Sequence, residues 1–185
     1  DQVFWPLTVS QGIWHCKKSG FTAFIGDFSN LNSDEIIKIR SYLEKNPIAD
    51  HSIHTQLKLL EDIYALRNKE SYFRNQLLRV LARWYQDLEE SEKANTYRKV
   101  ALNEIQSALK NKLEETVKFE YLYIAANYSR QFGDIKKSES LLSELTLAIE
   151  NIETEEAKGF AKYLKKLMVE TKYITAGGVL DPVLK

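Results

Sequence analysis

The stretch LRVLARWYQDLEESEKANTYRKVALNEIQSA, residues 78–108, decides the fold. Leu78, Leu81, Ala82, Tyr85 and Leu88 recur at helical spacing, and beyond the polar Glu89–Glu90 break so do Ala94, Tyr97, Ala101, Ile105 and Ala108. Spacings of three, four and seven place each set on one helix face. The pattern continues downstream. Val117, Tyr121, Ile124 and Tyr128 mark a third helix, and Ile135, Leu142, Leu145 and Ile149 a fourth. Small residues at Ala82, Ala94, Ala101, Ala125 and Ala126 allow close helix approach, with aromatic rings filling the gaps. The expected fold is all-α: about seven helices in stacked antiparallel hairpins.

Outward from this stretch, helix signals fill residues 33–174. Asn32 or Ser33 can cap a first helix, with Asp34 and Glu35 suiting its positive start and Asn32-x-x-Glu35 forming a variant capping box. That helix ends before Pro47. A second runs from about Asp50, the expected cap, to Arg67, with Ile53, Leu57, Leu60 and Ile63 on one face. The third spans about Ser71–Leu88, the fourth Ser91–Lys110 and the fifth Leu113–Phe132, with Gly133 as its C-terminal cap. The sixth runs Ile135–Ile149. The seventh starts at Thr154, with Glu155 and Glu156 in its first turn and Phe160, Tyr163, Leu164 and Leu167 on its apolar face. Residues 1–32 are different. Val3, Phe4 and Trp5 precede Pro6, and Ile13, Trp14, Phe21, Phe24, Ile25 and Phe28 are interleaved with Gly12, Gly20 and Gly26. They predict an arm of short strands or irregular chain, too small to hold a core alone. Residues 175–185, with Gly177, Gly178 and Pro182, read as a tail, mobile or held by a partner.

The 44% apolar content is ample for a core, and 26 basic residues balance 26 acidic ones. That balance gives no electrostatic case for nucleic acid or an anionic membrane. No window reaches the roughly 18 apolar residues that span a bilayer. The single cysteine, Cys16, excludes an internal disulfide framework. A reducing, cytoplasmic compartment is slightly favoured, and a disulfide-free exported protein whose signal peptide was removed stays open. A chain beginning at Asp1 is expected to be a processed product or a piece of something longer.

The two helical hairpins turn at Glu89–Glu90 and Gly133–Asp134, about 44 residues apart, near the range of helical repeats. Leu78, Leu81, Ala82, Tyr85, Ala94 and Ala101 in the first, and Leu122, Ala126, the Gly133–Asp134 turn and Leu142 in the second, resemble tetratricopeptide-like repeats over residues 71–150. The period exceeds the 34 or so residues of that family. Ser138 stands where it packs an alanine, and Tyr97 and Tyr128 each fall one position off its pattern. The alternative is an ordinary antiparallel bundle. At the start, Cys16-Lys17-Lys18-Ser19-Gly20-Phe21 resembles a zinc knuckle of the form Cys-x-x-Cys-Gly-aromatic, in which Ser19 replaces the second cysteine. An uncharacterised bacterial family joins such a knuckle to tetratricopeptide-like helices, and Phe24 and Asp27–Phe28 are similar to it. The resemblance implies a lost metal site, since a hydroxyl cannot replace a structural thiolate ligand.

Candidate sites follow. His51 and His54, with His15 and Cys16 if the arm folds back, offer metal-ligating types, but the first turn of a helix is commonly polar and nothing else supports zinc. No metal, cofactor or catalytic residue is expected. Cys16 beside His15 invites a nucleophile reading, yet neighbours in an extended segment point to opposite faces. Glu89–Glu90, Glu114–Glu115 and Glu155–Glu156 sit at turns and helix starts, where solvation and helix dipoles explain them. One face has the chemistry of a partner site: Gln76, Arg79 and Arg83 on the third helix, and Tyr123, Asn127 and Arg130 on the fifth. Guanidinium groups there suit an acidic or C-terminal carboxylate motif. The plainer reading is a solvated face whose arginine stems cover apolar surface. The expected function is a non-enzymatic protein- or peptide-binding scaffold. A homo-oligomeric structural role is the alternative, and an enzyme using the His15/Cys16 region a remote one. Nucleic acid and membrane insertion are not expected.

Overall fold

A computed structural model describes residue 1 and residues 12–48, 50–152 and 154–178, with the side chain of Glu156 left aside. The expectations on Val3–Trp5 with Pro6, on Glu156 and on the tail past Gly178, including Pro182, fall outside what is described. Among the described residues the protein is mostly α, with seven helices and a short β-hairpin. The strands are β1 (Ile13–His15) and β2 (Thr22–Phe24), followed by a 3-10 turn at Ile25–Asp27. The helices are α1 (Ser33–Lys45), α2 (Ile53–Ala65), α3 (Ser71–Asp87), α4 (Ser91–Ala108), α5 (Glu115–Gln131), α6 (Ile135–Glu150) and α7 (Glu155–Thr171). No helix among them is long and apolar enough to cross a membrane. The chain divides into two compact units, residues 6–81 and residues 82–185 with 1–5, and the division falls inside α3.

In the first unit the arm folds on the helices. The strands pair antiparallel, Ile13 opposite Phe24 and His15 opposite Thr22. β2 is buried at every residue, and Phe24 packs on Tyr64 and Phe73 with ring centroids 5.3 and 5.8 Å away. Ile39, Leu59 and Ile63 form a core wrapped by Phe21, Leu31, Tyr42, Leu43, Ile48 and Leu66. The α1 start carries the full capping box: Glu35 N–H donates to Asn32 Oδ1 at 2.9 Å, and Asn32 N–H to Glu35 Oε2 at 3.1 Å. The α2 cap is Ser52, not Asp50. Asp50 instead accepts from Ser52 N–H and from the Thr55 hydroxyl, 2.8 and 2.7 Å. It braces the cap from two residues upstream, which delays the helix to Ile53.

The second unit is built on α5. Tyr121, Ile124 and Tyr128 are buried as their spacing predicts, but every residue from Phe119 to Ala126 is buried too. One amphipathic face is therefore the wrong description of this helix. It packs on α4, α6 and α7 at once, and a helix apolar all round is a buried helix. On α6 the buried row is Ser138, Leu141, Leu145 and Ile149, with Ile135 exposed and Leu142 only half-buried. Position 135 is the first residue of the helix. The start of the presumed tail is also held. Gly177 N–H donates to Gln131 O at 2.7 Å, and Arg130 donates to the carbonyls of Ile174 and Lys172, both at 2.9 Å.

Both hairpin turns of this unit use one backbone device. Gly133 lies at φ +89°. Its N–H donates to Arg130 O and that of Asp134 to Ser129 O. These are the paired bonds of a Schellman motif, which satisfy the last carbonyls of a helix. Glu89 lies at φ +63°, with Glu89 N–H to Gln86 O and Glu90 N–H to Tyr85 O. The motif is the same, though the residue is one for which a left-handed conformation is unfavourable.

Candidate functional site

The six residues expected to form a partner face have different surroundings. In the first unit, Arg79 is buried and Gln76 half-buried. In the second, Arg83 pairs with Asp87 one turn along its own helix at 2.9 Å. Arg130 is occupied by the Lys172 and Ile174 carbonyls. Asn127 Oδ1 accepts from the Thr171 hydroxyl at 2.8 Å. Tyr123 is buried, its hydroxyl acidity weakened by that burial against opposing hydrogen bonds with Asn127 and Thr171. Tyr123, Asn127 and Arg130 thus hold α7 and the segment after it against α5. Adjacency of α7 was not visible in the spacing of α5, because a helix sequence does not say which neighbour covers which face.

Two buried arginines were missed by pattern reading. Arg67, at the end of α2, has no exposed side-chain surface. Nε donates to Glu35 Oε1 at 3.1 Å, Nη1 to Asp27 Oδ2 at 2.8 Å and Nη2 to the Asn30 carbonyl at 2.5 Å. Lys69 Nζ meets the same Asp27 carboxylate at 2.7 Å, and Tyr64 donates its hydroxyl to Asp27 Oδ2 at 3.1 Å. Burial works to raise the Glu35 carboxyl, but the Asn32 amide, Arg67 and Lys69 outweigh it and hold its pKa below the usual value. Removing one member strands a buried charge, at about 3–5 kcal/mol. Arg98 on α4 is equally buried. It forks onto Asp1 with both distances 2.7 Å and donates through Nη1 to Gln86 and Asn95 at 3.0 Å. Desolvation lowers its pKa. Nothing in a sequence distinguishes such arginines from solvated ones, since their carboxylates lie far along the chain.

The hairpin turn of the arm is closed by Cys16 N–H to Phe21 O at 2.8 Å and Gly20 N–H to Cys16 O at 2.7 Å. Gly20 lies at φ +79°, with the Ile48 side chain seated where a Cβ would be. The position therefore requires glycine for both its conformation and the close packing. Ser19 hydrogen-bonds Cys16, and this contact, with the Ser19 and Lys18 amides, lowers the thiol pKa. The His15 ring contacts Thr22 and His51. Its Nδ1 lies 2.8 Å from Thr22 Oγ1 and its Nε2 lies 2.9 Å from His51 Nδ1. The arm does fold back onto the start of α2, but among the described residues no group of three or more His, Cys, Asp or Glu side chains is arranged to hold a metal.

Beside this turn runs an apolar groove of about 410 Å3. One face of α1 supplies Ile36, Ile39, Arg40, Leu43 and Glu44, at helical spacings of three, four, seven and eight. Phe21 and Ser19 from the hairpin turn, with Leu31, form the opposite wall. Ile36 is 40% exposed, and Ile37 beside it 67%. The groove is a candidate site with an aliphatic floor and one basic and one acidic side chain among its walls. The signal in the sequence was the Ile36–Ile37 pair beside the buried Ile39 on α1, together with the aromatic turn at Phe21.

No protein-family model matches this chain, and none of the curated proteins or solved structures compared with it matches either.

Proposed function

We propose that this chain is a non-enzymatic protein- or peptide-binding module built from tetratricopeptide-like helical hairpins. The observation that carries the reading is the α1 groove. An open apolar trough with exposed isoleucines and a Phe21 wall fits the side chains of an aliphatic helix or extended peptide. The mixed Arg40 and Glu44 rim favours a partner segment that pairs a few charges with apolar anchors. The hairpin resemblance is supported by the two Schellman turns, which recur at the same period as the buried small residues. Partner capture through the groove is preferred over the arginine face because Arg83 and Arg130 already have partners inside the chain. The exposed Ile36 and Ile37 also favour the runner-up, in which a second copy covers them.

Affinity capture with the full chain, followed by measurement of the isolated pair, tests the reading. Ile36→Glu, which charges the groove, should weaken the pair at least about tenfold while leaving the melting temperature near that of the parent. A partner that binds this variant undiminished overturns the groove as its site. Sedimentation of the parent at rising concentration separates the runner-up: self-association abolished by Ile36→Glu identifies a second copy as the occupant.

A further inference from the structure

The contacts of His15 define more than a pair of rings in proximity. Thr22 donates its hydroxyl proton to Gly20 O at 2.9 Å. Its Oγ1 can then only accept from His15, so Nδ1 of His15 carries the proton. That leaves the Nε2 lone pair to accept from the Nδ1–H of His51. A directed chain results: His51 to His15, His15 to Thr22, Thr22 to the carbonyl of the turn glycine. It joins the residue just ahead of the α2 cap to the turn that supplies Phe21 and Ser19 to the groove.

We propose that the His15–His51 hydrogen bond is a pH-sensitive latch on this turn, holding the groove in its binding form at neutral pH and releasing it on acidification. The inference rests on the reading of the groove as a docking site. A first proton leaves the bond intact, because one ring still offers a lone pair to the other. A second proton does not. Both rings then only donate, no lone pair remains between them, and two cations face each other with ring centroids 5.1 Å apart. The surroundings favour release. Lys17 adds positive charge on the turn. Asp50 is the opposing group. Its carboxyl is held down at about 2 by the Ser52 and Thr55 hydroxyls, so it stays ionised through the transition and does not itself switch. His54, one turn further on, is exposed.

The sign follows from His15. Burial, then His51 and Lys17, lower its pKa below the ordinary 6.5. Folding therefore favours the neutral ring. Its contribution is complete above the ordinary value and is lost as pH falls through the lowered one.

Imidazole nitrogen NMR of the full chain, with methyl shifts of Ile36, Ile39 and Leu43, tests the proposal without any partner. At about pH 7.5 His15 should show the Nδ1–H tautomer. On acidification to about pH 5 the groove methyls should shift together with the imidazoles, and amide protection at Cys16 and Gly20, corrected for intrinsic exchange, should fall about tenfold. His51→Ala should place the methyls in the acid form at both pH values, and His54→Ala should retain the parent response. Methyls that ignore pH, or a His51→Ala response equal to that of the parent, overturn the latch. A latch that titrates as described in a protein whose partner ignores Ile36→Glu leaves the latch standing and removes the docking reading.

Discussion

The hairpins α3–α4 and α5–α6 are two versions of one construction. Shifting the first along the chain by the distance between its turn and the next superposes position on position: Ala82 on Ala126, Glu89 on Gly133, Ala94 on Ser138, Ala101 on Leu145 and Ile105 on Ile149. Apart from the two exposed turn residues, all of these are fully or nearly fully buried. The differences lie in chemistry. Gly133 suits its left-handed turn and Glu89 does not. Asp134 caps α6 by accepting from Lys137 N–H at 3.0 Å, whereas Glu90 makes no cap with its side chain. The first hairpin carries Tyr85 stacked parallel on Tyr97, centroids 5.5 Å apart, where the second has Ser129. The two turns share the same backbone hydrogen bonds although the residues around them differ.

The largest effect should come from the aromatic that only the first hairpin has. Tyr85 is 2% exposed, stacked on Tyr97 and covered by Lys93 Nζ at 3.9 Å from its ring centre. Tyr85→Ala should cost on the order of 3 kcal/mol in denaturant unfolding. A loss below about 1 kcal/mol would mean that Tyr85 adds little beyond what a serine supplies at the matching place. Next is Ala101→Leu, which installs the residue found at the matching Leu145. Ala101 is fully buried, so overpacking should cost about 1–3 kcal/mol. A neutral result would show that the two helix interfaces have equal room.

Ser138 offers the reverse experiment. It is fully buried and its hydroxyl has no hydrogen-bond partner among the described residues, while the first hairpin has Ala94 there. Ser138→Ala should stabilise by about 1 kcal/mol by removing the desolvated group, seen as a raised denaturation midpoint. A destabilised variant would sink the equivalence of the two positions. The smallest effects belong to the turns, and they should have opposite signs. A Cβ at Gly133 has its nearest neighbour, Ala176 Cβ, at 3.9 Å, so space is not the issue. Gly133→Ala should therefore lose only conformational energy, about 1 kcal/mol, and Glu89→Gly should gain somewhat less, offset by the added freedom of the unfolded chain. Matching signs in paired melts would refute the shared Schellman geometry.

Much of the fold is legible in the sequence. Helix number, most boundaries, the Asn32–Glu35 capping box and the Gly133 stop are written within a few residues of where they act. Periodicity likewise marked Leu57, Leu60, Ile63, Tyr85 and Ala101 as buried. The reading failed where the deciding partner is distant. Ile135 carried the right period but is exposed at the first residue of α6, and α5 showed one face of a helix whose residues from Phe119 to Ala126 are all buried. The candidate site divided in the same way. Tyr123, Asn127 and Arg130 were singled out for their polarity, yet what they hold is α7 and the residues after it.

The sequence by itself therefore determined the helical class and the pairing of consecutive helices, because capping, turn conformation and amphipathic period are properties of neighbouring residues. The tertiary structure alone decided which polar groups are spent internally and which surface stays open. Arg67 is neutralised by Asp27 and Glu35, Arg98 by Asp1, and His15 is joined to His51, in each case across more than thirty residues. Such partnerships depend on chain segments meeting in space, and an arginine or histidine has the same local sequence signature whether it is solvated or buried against a carboxylate. The α1 groove is exposed for the same reason: Ile36 has the period of a core residue, and only the absence of a covering element among the described residues leaves it at the surface.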